Sequence, residues 1–209
     1  VLKMQLSKKL NDFIKKIIFL KSKILTIGIF FFYSTSAYPF MSDAKYALLV
    51  DYETNQILYE KNSKKKIYPA SMSKLMTLYV LFDYIENNII SLEDKIFISE
   101  NAWRKGGAIS DSSTMFAEVS SYISVENIIR GIVIHSGNDA CIAISEAISG
   151  SEEIFSNEMN FYAKKLGMID TNYTNSTGLH DSNHFSTPYD MTLLAKSLIR
   201  DFPNFYHYF

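Results

Sequence analysis

The sequence predicts an α+β domain in which an N-terminal hairpin supplies an incomplete antiparallel sheet and a cluster of helices supplies the core. Three observations carry this. Two apolar stretches within residues 45–60 flank the polar turn Glu53-Thr54-Asn55-Gln56, the composition of a β-hairpin. Apolar residues then recur at helical intervals in several runs bounded by capping residues and glycines. At 209 residues the chain is long enough for one domain with a real core.

Residues 1–37 have the layout of a secretory signal. The first 23 residues carry seven lysines and one acid, Asp12, before an apolar segment at 24–33 that closes on Ser34-Thr35-Ser36-Ala37. A basic start, a short apolar centre and small residues mark a cleavage point, placed after Ala37. The segment is too short for an ordinary membrane span. In the alternative, Ile17–Leu20 extend it past Lys21 and Lys23 into an uncleaved anchor that associates with the membrane. Either way the chain is expected to be exported, to the periplasm or the outer face of the cytoplasmic membrane, with residues 38–209 forming the working domain.

Beyond the hairpin, Leu75, Leu78, Val80, Leu81, Tyr84 and Ile85 mark an amphipathic helix with Ser71 in its first turn, behind Pro69. Residues 91–124 are irregular, with a short strand at 95–98 and a loop through Arg104-Lys105-Gly106-Gly107. Ser124 caps a helix at 125–135, and a second runs over 139–149 to a stop at Gly150. Ser151 caps a third at 152–166, ended by Gly167. Thr187-Pro188-Tyr189-Asp190 combines a cap, a proline at the first position and an acid three residues on, and starts a last helix to about residue 200. No repeat or flexible linker interrupts the pattern. A two-stranded sheet is marginal by itself, so Leu48, Val50, Ile57 and Tyr59 are expected to leave apolar surface beside an open strand edge.

Composition excludes several functions. A net charge of −1 argues against nucleic acid as a partner. Cys141 is the only cysteine, so no internal disulfide forms, and its place in a helical run predicts burial. A thiol nucleophile lacks an obvious activating histidine, with His135 as the nearest candidate. His180 and His184 have the spacing of a zinc pair, but Asp181-Ser182-Asn183 between them reads as a loop and no H-E-x-x-H is present. Both are expected to hydrogen-bond within that loop, and no metal or cofactor is expected. Arg104, Lys105 and Lys64–Lys66 read as a solvated face.

The chemistry lies in two short motifs. In Ser71-Met72-Ser73-Lys74 the lysine follows the serine by one helical turn, on the same face. A serine hydroxyl holds its proton near neutral pH and needs a base within hydrogen-bond reach; a desolvated lysine can be that base. Ser42/Lys45 and Ser63/Lys66 share the spacing, but neither opens a helix. Ser71 as a plain helix cap stays open as the alternative. Ser136-Gly137-Asn138 falls between two helical runs, a tight corner that presents a hydroxyl and an amide at a surface. Ser99-Glu100-Asn101 repeats the spacing without that setting.

Together, in this order, the motifs resemble those of the penicillin-recognising serine enzymes, whose signatures are S-x-x-K, S-x-N and K-T-G. From about Ala44 onward the chain resembles the low-molecular-mass D-alanyl-D-alanine carboxypeptidases in particular, through Ala47–Asp51, Tyr68–Ser71, Gly137, Thr177–Asp181 and Asn183–Thr187. The resemblance implies a β-lactamase/transpeptidase-like fold. It implies that Ser71 attacks the bond between the last two D-alanines of a peptidoglycan stem peptide, that Lys74 takes the Ser71 proton, and that Ser136 relays a proton to the leaving D-alanine. Asn138, with Gly137 beside it, would hold Lys74 and the substrate amide. β-Lactams would acylate Ser71 as substrate mimics. No Lys-Thr-Gly, Lys-Ser-Gly or His-Thr-Gly occurs before the chain ends at Phe209. Since in the family that cation grips the substrate carboxylate, impaired activity is expected. Two alternatives remain: a catalytically silent envelope protein that binds peptidoglycan or a partner, and a β-lactamase.

Overall fold

The computed structural model describes residues 11–21 and 40–209. The apolar centre of the predicted signal and its cleavage point after Ala37 lie outside these residues. Residues 11–21 are helical, and among the described residues no helix is long and apolar enough to cross a membrane.

The predicted hairpin is present. Strands β1 (Ala47–Val50) and β2 (Ile57–Lys61) pair antiparallel, with Ala47 opposite Lys61 and Val50 opposite Ile57 across an irregularity that leaves Leu58 unmatched. The turn opens earlier than its polar run suggests. The Asp51 carboxylate accepts from Thr54 N at 2.8 Å and Thr54 Oγ1 at 2.6 Å, and Asn55 takes a left-handed φ of 60°. Asn tolerates that region better than most residues. The expected apolar surface is real but differently distributed: Leu49, Ile57 and Leu58 are exposed, while Leu48, Val50 and Tyr59 are half-buried. Strand β1 is packed by the last helix, and an open groove of about 500 Å3 between them is lined by Leu48, Val50, Ile67, Met191 and Ile199.

The helix after Ser71 was expected to be amphipathic, and it is instead buried on all sides. In α1 (Lys74–Glu86) every residue from Met76 to Phe82 is buried, the mark of a central helix. The later helices, α3 (Val125–His135), α4 (Asn138–Ser149), α5 (Glu152–Lys165) and α6 (Pro188–Asp201), form the rest of the cluster, and α4, α5 and α6 pack on α1. Tyrosine hydroxyls tie it outward: Tyr79 to Asp201, Tyr84 to Glu158, and Tyr162 back to Asp83. A 3-10 turn at Pro203–Tyr208, which the sequence did not announce, stacks Phe205 on Phe82 with ring centroids 4.7 Å apart.

The caps follow the sequence closely. Ser124, Ser151 and Thr187 each accept a backbone N–H three residues on, and Gly150 ends α4 at φ 80°. Residues 91–124 hold more order than expected. β3 (Lys95–Phe97) pairs with an unanticipated β4 (Tyr122–Ser124), and the Arg104–Gly107 stretch belongs in part to a short helix, α2 (Glu100–Gly106). Ser99 caps α2 at Ala102 N and also donates to Glu146 of α4, whose carboxylate takes Asn101 as well. The second Ser-x-Asn therefore fastens α2 to α4. Gly106 is needed where α2 arrives: a Cβ there would lie 2.3 Å from Asp139 N.

Asp139 organises the start of α4. It is fully buried, and its carboxylate accepts from Thr114 Oγ1, Met115 N, Ala117 N and Ala140 N at 2.7–3.1 Å. It thereby draws the 112–117 loop over the interhelical corner. Asp139→Asn turns an NH2 toward a backbone or hydroxyl donor, and is expected to lower unfolding stability by about 3 kcal/mol, read from a denaturant titration monitored by circular dichroism. An unchanged midpoint would mean that the carboxylate's bonds do not hold this loop.

Candidate active site

Ser71 was expected in the first turn of an α-helix, and it lies one turn earlier. Ala70–Ser73 form a 3-10 turn that runs into α1. The difference favours the chemistry, because residues three apart eclipse in a 3-10 turn, so Lys74 stands over Ser71. Lys74 Nζ is 3.2 Å from Ser71 Oγ. Neither Pro69 nor Ser73 makes a side-chain cap here, and the Ser71 hydroxyl accepts from the lysine. The plain-cap alternative for Ser71 is thus not what forms.

Ser71 is exposed, whereas Lys74 retains only 5 % of its accessible surface. Its second bond goes to the carbonyl of Thr177 at 2.7 Å. Burial pushes the amine pKa below its ordinary value, opposed in part by the Cys141 thiol nearby. Cys141 itself is buried, with its own pKa pushed up by burial to about 12, an inert small residue as expected and no nucleophile. The arrangement places an outward-facing hydroxyl in front of a sequestered amine, which can withdraw the hydroxyl proton inward as the oxygen attacks outward.

The two rival serines differ. Ser63 is buried and gives its hydroxyl to Glu60, with its carbonyl taken by Tyr189 N, so it is no solvated turn residue. Ser42 accepts from Ala44 N. Lys64, Lys65 and Lys66 are exposed, as the solvated-face reading expects, with Lys64 over the Tyr189 ring and Lys66 over that of Phe185 at 3.8 Å.

The Ser136-Gly137-Asn138 corner forms as predicted between α3 and α4, with Ser136 left-handed at φ 53°. Its amide does not face solvent. Asn138 is 4 % exposed because the 112–117 loop covers it: Asn138 N donates to Ser113 O, and Nδ2 donates to Ser112 Oγ at 3.0 Å. The expected hold of Asn138 on Lys74 is not made: Nδ2 is engaged by the loop, and Oδ1, the atom that would accept from the amine, has no partner. What remains is informative. Ser136 Oγ and Asn138 Oδ1 are buried with no hydrogen-bond partner, a costly condition that a bound polar group would relieve. Cys141, one turn beyond Asn138 on α4, is within electrostatic reach of Lys74.

The 174–184 loop contributes most of what the sequence did not show. Asn175 Oδ1 accepts from Thr177 N, Thr177 Oγ1 and Gly178 N, shaping the turn that aims the Thr177 carbonyl at Lys74. Thr77 Oγ1 donates to Ser176 O at 2.7 Å, and Ser176 in turn donates to Glu152. A carbonyl carries no side-chain signature, so Thr177 could be found only through the glycine after it. Gly178 has φ 82°, and a Cβ there would lie 1.8 Å from the carbonyl oxygen of Ala70. Ala70 itself is left-handed at φ 49°. Of the two histidines, His184 is buried and hydrogen-bonded as expected, whereas His180 is exposed and meets Tyr68 edge to face at 4.8 Å. Among the described residues no cluster of three metal-ligating side chains occurs.

Residues 34–209 match the profile of the peptidase S11 family, described as D-alanyl-D-alanine carboxypeptidase. The chain is 41 % identical over 158 residues to D-alanyl-D-alanine carboxypeptidase DacF of Bacillus subtilis, covering 76 % of this chain and 39 % of the relative. It is 41 % identical over 165 residues to DacC of Escherichia coli, covering 78 % and 41 %. Among solved structures, DacD of Francisella tularensis superposes with a TM-score of 0.77 at 36 % identity, covering 83 % of this chain and 41 % of that one. Penicillin-binding protein D2 of Listeria monocytogenes in its ampicillin-bound form gives 0.68 at 29 % identity, covering 79 % and 65 %. The α+β, penicillin-binding-protein-like fold is thereby established, and the chain spans about two fifths of the length of these curated relatives.

Gly178→Ala sets a Cβ against the Ala70 backbone in a left-handed conformation. It is expected to cost more than about 1 kcal/mol and to displace the Thr177 carbonyl from Lys74. Thermal unfolding together with the Lys74 Nζ resonance in 15N NMR tests both, and a variant matching the parent in each would refute the close approach.

Proposed function

Since this chain belongs to the D-alanyl-D-alanine carboxypeptidase family, we propose that it acts as a serine acyl-transfer enzyme on peptidoglycan stem peptides ending in D-Ala-D-Ala. The observation that carries this is the exposed Ser71 hydroxyl 3.2 Å from the buried, pKa-depressed amine of Lys74. Ser71 Oγ attacks the carbonyl of the penultimate D-alanine while its proton passes to Lys74 Nζ. As the tetrahedral adduct collapses, the C–N bond breaks, and Ser136 Oγ relays the proton, giving its own to the departing D-alanine amine and taking in its place the one held by Lys74. Water then hydrolyses the acyl-enzyme. Asn138 Oδ1, buried and unpartnered, accepts the substrate's amide N–H. A β-lactam enters the same path, and its ring-opened acyl group stays on Ser71.

We place the working domain at residues 38–209, exported behind the 1–37 signal to the periplasm or the outer face of the cytoplasmic membrane. The 209 residues contain no Lys-Thr-Gly, Lys-Ser-Gly or His-Thr-Gly. In the proposed reaction the substrate carboxylate needs a cation, so this polypeptide by itself is expected to turn over a D-Ala-D-Ala peptide slowly. The loss is on the order of a hundredfold or more, by analogy with removal of one transition-state hydrogen bond. Turnover equal to that of a full-length relative would overturn this expectation.

Labelling with a fluorescent penicillin tests the acylating pair. The parent is expected to form an adduct, Ser71→Ala none, and Lys74→Ala one that forms more slowly by about a hundredfold or more. Because the neutral amine is the base and its pKa is depressed from 10.5, the acylation rate should rise with pH and level off below that value. No adduct in the parent refutes the proposal in favour of a binding-only protein, and prompt release of hydrolysed drug refutes it in favour of a β-lactamase.

A further inference from the structure

The buried amine of Lys74 depends on a loop more than a hundred residues away in sequence, and that loop must be held down on the Ser71 turn. Three of its fastenings involve backbone: Thr177 O to Lys74 Nζ, Ser176 O to Thr77 Oγ1, and Gly178 against Ala70 O. The fourth joins two side chains that the proposed chemistry does not use. His184 Nε2 lies 2.7 Å from Ser73 Oγ, both residues being 98 % or more buried. The tautomer follows from the other ring nitrogen. Nδ1 faces the backbone N–H of Thr174 at 3.1 Å and must accept, so the proton sits on Nε2 and is donated to Ser73 Oγ. Burial favours this neutral ring, with Asp181 on the same loop as the opposing charge, and Tyr173 meets the ring edge to face at 5.5 Å. Ser73 stands between Ser71 and Lys74 in sequence and beneath Gly178, whose notional Cβ would be 3.0 Å from Ser73 Oγ.

We infer that His184 is a positioning residue: its Nε2–H bond to Ser73 latches the 174–184 loop onto the 3-10 turn, and so keeps the Thr177 carbonyl on the Lys74 amine and water off it. The inference rests on the assignment of Ser71 and Lys74 as the acylating pair. His184 touches neither member of that pair and acts through Ser73 and the loop. Releasing the latch lets water reach the amine, restores its affinity for a proton and loosens the orientation of its lone pair toward Ser71. A reacting group misplaced by about 1 Å can lose roughly a hundredfold in rate.

Two near-isosteres separate the latch from general loop support. In His184→Gln the amide nitrogen can occupy the Nε2 position and donate to Ser73. In His184→Asn the side-chain oxygen can accept from Thr174 as Nδ1 does, but the side chain stops short of Ser73. Penicillin acylation should fall roughly a hundredfold in His184→Asn and in Ser73→Ala, should stay within about threefold of the parent in His184→Gln, and should fall no further in the Ser73→Ala/His184→Asn double variant. Independently of any activity, the Lys74 titration followed by 15N NMR should move up by about one pH unit or more in His184→Asn and stay in place in His184→Gln. Equal behaviour of the Gln and Asn variants, or an unmoved Lys74 titration in His184→Asn, would overturn the latch. Failure of the parent to form a Ser71-dependent adduct would instead sink the functional assignment, with the Lys74 titration still deciding the latch.

Discussion

The site depends on a lysine amine taken out of water between one hydroxyl and one carbonyl. In water the same group would hold its proton and could not serve as a base; desolvation is the force that lowers its pKa. That force is costly, because a buried cation with few partners destabilises the fold around it. The surroundings show how the cost is met. Helix α1 is buried on every side over Met76–Phe82, and packing on α4, α5 and α6 holds the helix that carries Lys74. The single strong acceptor inside, the Thr177 carbonyl, holds the amine without supplying a negative charge that would raise its pKa.

Strain beside Ser71 belongs to the same design. Ala70 in the left-handed region costs about 1 kcal/mol relative to an ordinary conformation, and a glycine at 70 would remove that cost. The left-handed residue turns the chain sharply between Pro69, which is helical at φ −71°, and the 3-10 turn that eclipses Ser71 and Lys74. It also aims the Ala70 carbonyl at the one residue, Gly178, that has no side chain to meet it. Backbone strain at 70 and a glycine at 178 are therefore two halves of one contact, which brings the Thr177 carbonyl to the lysine.

Much of this architecture was legible because it is local. Ser124, Ser151 and Thr187 cap helices through their own hydroxyls, and a hairpin or an interhelical corner is written in consecutive residues. Helix α2 and strand β4 escaped for the opposite reason. Both are short, and they are held by partners elsewhere, α2 by Glu146 of α4 and β4 by pairing with β3. At the site, Ser71, Lys74, Ser136 and Asn138 could be named because their chemistry is carried by side chains. The Thr177 carbonyl, the Ser73–His184 bond and the loop that engages Asn138 could not, since each joins segments far apart in the chain, up to 111 residues for Ser73 and His184. Asn138 shows the same limit: its Nδ2 is engaged by the loop while its Oδ1 has no partner, because a motif names the groups present and only the fold decides which neighbour takes a bond.

Satisfied and unsatisfied polar atoms are unevenly distributed around the candidate site. Asp139 has four donors, Asn175 Oδ1 has three, and His184 has both ring nitrogens engaged. These groups are fully committed to holding backbone in place. Ser136 Oγ and Asn138 Oδ1 are buried and bare, although Asn138 N, Asn138 Nδ2 and the Asp139 carboxylate beside them are all hydrogen-bonded. Leaving two such atoms unpaired costs about 1–3 kcal/mol for each, a cost that the proposed substrate would offset by offering one acceptor and one donor. The contrast between these two atoms and the saturated network beside them is therefore the structural support for the proposed substrate amide at this corner.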